Sequence, residues 1–93
     1  MKNFAGLEGW QFRAARVAAD WTHRECAEAT GLSTTTIMRV EKMNVVHVSD
    51  SEFKEPGKVP GSTVQKLLDA LETAGFKLVP RTETRKPRVE SIE

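Results

Sequence analysis

Cysteine and histidine are the residue types best able to ligate a metal or take part in nucleophilic chemistry, and here they occur only as Cys26, His23 and His47. A structural zinc site wants four ligands in paired spacings, and these three residues supply no second pair. The sequence has no glycine-rich phosphate loop and no nucleophile with a base at recognisable spacing. We therefore expect no metal, no cofactor and no enzymatic activity, and read Cys26 as a small buried hydrophobe. The remaining candidate chemistry is hydrogen bonding and packing by hydroxyl, thioether and basic side chains between Thr22 and Lys42. Its use depends on the elements that carry them.

Those elements are marked by local signals. Phe12, Ala15 and Ala19 recur at helical spacing within a first helix over Glu8 to Ala19. Asp20 and Trp21 interrupt it. Thr22 with Glu25 three residues later forms a capping box, in which each side chain satisfies a free backbone donor at a helix start. The second helix ends near Gly31, and Ser33 caps a third that reaches Lys42 or Met43. A small Ala27 lets these two helices approach, Gly31 makes the turn, and Leu32, Ile37 and Val40 pin the third helix to a core. The spacing is that of a helix-turn-helix over 22–42.

From Asn44 to Pro60 the pattern changes to Val45, Val46 and Val48 followed by polar, proline- and glycine-rich residues, read as a connecting loop with room for one short strand. Ser62 and Gln65 have capping-box spacing, and Val64, Leu67, Leu68 and Leu71 follow the i, i+3, i+4, i+7 rule of an amphipathic helix over 62–74, read as core-facing. Gly75 ends that helix, Phe76 to Val79 reads as a short strand, and Pro80 stops it. The strand offers an edge that could pair with its copy in a dimer. The segment 80–93, charged and almost without large apolar residues, is expected to be a flexible tail whose Arg81, Arg85, Lys86 and Arg88 are solvated or track phosphates. The fold class is therefore all-α or mainly α, with one domain over 1–79.

The bulk numbers agree with a small, soluble unit. Ninety-three residues with 39% hydrophobic content support one modest core. A single cysteine excludes an intramolecular disulfide, and Met1 to Gly9 lacks the apolar stretch of a secretory signal, so a cytoplasmic setting without membrane association is expected. The formal charge of +1, from 14 basic and 13 acidic residues, would not by itself suggest nucleic acid.

The Thr22 to Glu41 segment, with Phe12 onward and more loosely Ser62 to Gly75, resembles the Cro and phage-repressor (xenobiotic-response-element) family of helix-turn-helix regulators. The resemblance implies a lambda-repressor-like bundle, here with a short C-terminal strand. It implies sequence-specific binding of double-stranded DNA, most simply repression by a homodimer at an inverted repeat, with nucleoid association when bound. It places base readout on Thr34, Thr35, Met38 and Arg39, and a buried structural salt bridge between Arg16 and Glu41. It puts a phosphate contact at His23, where the family commonly has glutamine; Cys26 stands where leucine is usual. Chemically, Arg39 offers a bidentate fork to guanine, Met38 can pack on a thymine methyl, and the amides at the start of the third helix, after Ser33, suit a phosphate. Lys42, Arg13 and Arg24 would add phosphate contacts. The alternative from another class is an antitoxin or anti-activator that holds a protein partner.

Overall fold

A computed structural model of the chain describes residues 5–49 and 57–92. The element order is α1 (Gly9–Ala18), α2 (His23–Thr30), α3 (Thr34–Glu41), β1 (Val48–Ser49), β2 (Val59–Pro60), α4 (Gly61–Thr73), β3 (Phe76–Val79) and β4 (Arg88–Ser91). The fold is mainly α with a small β part. Among the described residues, no helix is long and apolar enough to cross a membrane.

Each helix of the first half starts and stops where local chemistry dictates. Asp20 takes a left-handed conformation (φ 61°) between α1 and α2, which aspartate tolerates better than most residues. Thr22 accepts from the Glu25 amide at 3.1 Å while Glu25 accepts from the Thr22 amide at 3.0 Å. Gly31 closes α2 at φ 76°, its amide donating to Ala27 O at 2.8 Å, a backbone that costs a Cβ-bearing residue about 1 kcal/mol or more. Ser33 caps α3 by accepting from the Thr36 amide at 3.1 Å.

The core is one cluster in which Phe12 and Ala15 of α1, Cys26 of α2, Ile37 and Val40 of α3, and Val64, Leu67 and Leu71 of α4 are all buried. A side chain such as Phe12 contributes roughly 1.5 to 3 kcal/mol on burial. The α4 stripe read as core-facing is buried at three of its four positions, with Leu68 half-buried at the margin.

Three expectations are corrected. The helix expected to start at Ser62 begins at Gly61 with Pro60 as its cap residue and no side-chain cap. The Ser62–Gln65 capping box does not form, because β2 feeds directly into the helix; Gln65 Nε2 instead donates to Asp69 Oδ1 at 2.6 Å. The loop from Asn44 to Pro60 carries two short strands, β1 and β2, paired in parallel as Val48 with Val59 and Ser49 with Pro60. Its residues 50–56, Pro56 among them, lie outside those described.

The third correction concerns the tail. Arg88–Ser91 is not part of a flexible tail but pairs antiparallel with β3, in register Phe76–Ser91, Lys77–Glu90, Leu78–Val89 and Val79–Arg88. Val89 lies opposite the buried Leu78 and packs against the core, which is what holds an otherwise polar strand in place. One edge of β3 is thus taken by its own chain rather than by a copy. The hairpin is stitched to α1 by Gln11, fully buried, whose Nε2 donates to Val79 O at 2.8 Å and Arg88 O at 3.0 Å. Its Oε1 accepts from the Glu8 amide at 2.8 Å.

Candidate nucleic-acid interface

Helix α3 has two unlike faces. Ile37 and Val40 are buried, whereas Thr35, Met38, Arg39 and Lys42 are exposed. The exposed positions follow the i, i+3, i+4, i+7 spacing, so they form one row along the helix. Of the residues predicted to read bases, Thr35, Met38 and Arg39 share that row; Thr34 is half-buried beside it. Lys42, expected on phosphates, extends the row at the helix end.

Behind this row sits a charge network. Arg16 of α1 donates from Nε to Glu41 Oε2 at 2.7 Å and from Nη2 to Oε1 at 3.3 Å. Its Nη1 donates to Trp21 O at 2.7 Å. With the two side chains only 10% and 6% exposed, the pair is a buried, hydrogen-bonded salt bridge of the kind the resemblance implied. The Trp21 carbonyl brings the α1–α2 turn into the same guanidinium. Cys26 is buried nearby; burial pushes its thiol above its ordinary value, Glu41 adds to the rise and Arg16 opposes it.

His23, expected on a phosphate, has one ring nitrogen engaged within the protein. Its Nε2 lies 3.1 Å from Glu41 Oε1, so the ring faces the network and only Nδ1 is left for an outside partner. The imidazole at the first position of α2 thus closes over the end of α3. Because Glu41 serves Arg16 and His23, it does not neutralise Arg39. Among the described residues no carboxylate pairs with Arg39 or Lys42.

The other expected phosphate residues are placed unevenly. The Ser33 hydroxyl is consumed by its cap and by a 2.9 Å hydrogen bond with the Thr36 hydroxyl, which leaves the first backbone amides of α3 as the donors at that end. Arg24 is exposed and only loosely paired with Glu28 at 3.8 Å. Arg13 lies on the outer face of α1 with the exposed Trp10 and Val17.

Two residues that hold α1 to its neighbours escaped the sequence reading. Gly9, at the first position of α1, donates its amide to Met43 O at 2.9 Å, and an added Cβ would run into the carbonyl oxygens of Met43, Val40 and Glu41. With the Arg16–Glu41 bridge, it is one of the places at which α1 meets the end of α3. Gln11 is the other; a glutamine one residue before Phe12 on the apolar side of a helix was the available signal. No protein-family model and no curated protein matches the chain.

Proposed function

We propose that this chain is a sequence-specific double-stranded DNA-binding transcriptional regulator of the Cro and phage-repressor type, with α3 as its reading helix. The carrying observation is the exposed row Thr35–Met38–Arg39–Lys42 on a helix whose opposite face is locked into the core. Arg39, without a carboxylate partner among the described residues, supplies a bidentate donor for guanine. The succession of capped α2, a tight turn at Gly31, and α3 supports a lambda-repressor-like assignment, to which the β3–β4 hairpin is an addition. Two copies on an inverted repeat, with reading helices roughly 34 to 36 Å apart, would give repression by occupancy of a promoter.

Selection from random duplex DNA tests this reading: a palindromic motif is expected. On the selected duplex, Arg39→Ala should weaken binding by about 1 to 3 kcal/mol and relax preference at one base pair, while Lys42→Ala should weaken all sequences alike. Unchanged affinity of the Arg39→Ala protein would refute the readout assignment. A second reading, an antitoxin or anti-activator bound to a protein partner, draws on Trp10 and Val17, both exposed on α1. Recovery of no motif, together with a stoichiometric protein partner, would favour it.

A further inference from the structure

The turn that joins β3 to β4 is basic and held in place, and backbone hydrogen bonds tie it through segment 6–9 to the residues that follow α3. Arg81, Arg85 and Lys86 are exposed, against the single acid Glu83. The turn is closed by Thr82, whose amide donates to Arg85 O at 3.0 Å and whose hydroxyl accepts from the Arg85 amide at 3.1 Å. Pro87 is buried at its far side. Arg81 is committed to Glu8, Nη2 to Oε2 at 3.1 Å, and Arg88 to Glu90 at 2.8 Å. Arg85 and Lys86 have no carboxylate partner among the described residues. They are therefore two unneutralised cations on a fixed support rather than on a loose tail.

The support connects them to the reading helix. The short segment 6–9 is flanked on one side by the turn and on the other by the residues that follow α3. Gly6 O accepts from the Arg81 amide, Leu7 O from the Val46 amide, and Gly9 N donates to Met43 O, each at 2.9 Å. A Cβ on Gly6 would sit 2.6 Å from Arg81 O, so no side chain separates the two strands of chain. At no more than about 3.6 Å per residue, this bridge keeps the backbone of Arg81, where the turn starts, within roughly 20 Å of that of Met43, next to Lys42. That is less than one helical turn of B-DNA, about 34 Å.

We propose that Arg85 and Lys86 form a second phosphate-contacting element, which grips the duplex backbone beside the groove entered by α3. This rests on the DNA-binding reading above and adds to it a sequence-independent clamp. A clamp built on a closed turn loses little conformational freedom on binding, because the hairpin is already ordered. It also supplies local positive charge to a chain whose net charge is only +1.

The test uses the full chain and a 30-base-pair random-sequence duplex carrying a fluorophore, with affinity read by anisotropy at several sodium chloride concentrations. Each phosphate contact contributes about 0.9 to the slope of log affinity against log salt. The double variant R85A/K86A should bind more weakly at low salt, with a slope shallower by about 1 to 2. K66A/K77A, which removes two exposed lysines from α4 and β3, should leave the slope unchanged. Circular dichroism melts check that each variant is folded.

An unchanged slope for R85A/K86A, with wild-type binding intact, would overturn the clamp and leave the reading helix standing. An equal fall in both double variants would also overturn it, since loss of net charge alone would then account for the change. Absence of duplex binding by the wild-type chain at low salt would remove the clamp together with the DNA reading.

Discussion

His23 Nε2 and Glu41 Oε1 lie 3.1 Å apart, joining the first residue of α2 to the last residue of α3. Helices α2 and α3 are thus tied at their open ends, while Gly31 and Ser33 close the turn between them. The same carboxylate holds Arg16, so the orientation of α3 is referred to α1 as well as to α2.

Removing either partner of the Arg16–Glu41 bridge leaves a buried, uncompensated charge. Arg16→Met and Glu41→Leu are each expected to destabilise the fold by roughly 3 to 5 kcal/mol, and the double variant by less than the sum. Urea denaturation of the three proteins checks this; additive losses would contradict coupling between the two side chains.

Gly9→Ala should cost about 3 kcal/mol, because the new methyl group meets backbone rather than a movable side chain, with Val40 O at 2.5 Å and Glu41 O at 2.7 Å. Alanine is otherwise the better helix former, so a thermal melt showing no loss would mean that α1 and α3 do not approach as described.

Stability should fall at alkaline pH through Cys26. Burial raises the folded thiol above its ordinary value of 9.0, so the folded state keeps its proton where the unfolded chain has lost it. The contribution is whole below about pH 9 and is lost as pH rises through the folded value. Urea midpoints between pH 7 and 10.5 should decline less steeply for Cys26→Ala, although that variant starts lower because of the cavity it leaves.

Truncation after Pro80 should destabilise the chain. It removes β4, uncovers Leu78, and takes from the buried Gln11 Nε2 one of its two acceptors, Arg88 O, and an N–H left without a partner costs about 1 to 3 kcal/mol. A truncated protein with an unchanged melting temperature would restore the view of this segment as a passive tail.

What was legible in the sequence was what is determined locally. Thr22 with Glu25, Gly31 and Ser33 act on backbone groups within a few residues, so α2 and α3 were readable with their boundaries. Helix α4 was visible through Val64, Leu67 and Leu71, but its start was misplaced because Pro60 leaves β2 already committed to the helix. β4 was invisible because its only core-facing apolar residue is Val89, and pairing with β3 depends on a partner strand rather than on its own pattern. Within the candidate interface, the exposed row followed from helical spacing. The contact of His23 with Glu41 did not, since it depends on how the chain folds between two residues 18 apart in sequence.

Gln11 finds its two carbonyl acceptors 68 and 77 residues further along the chain. Contacts of such separation form only after a large loop has closed, and loop closure is slow relative to helix formation. The α2–α3 hairpin, whose contacts are all local, is therefore the natural early structure during refolding, and the seating of α1 against the β3–β4 hairpin the late one. Since Gly9 and Arg16 hold α3 from that same helix, the exposed row of α3 is expected to take its final orientation late in folding, when the two distant ends of the described chain meet.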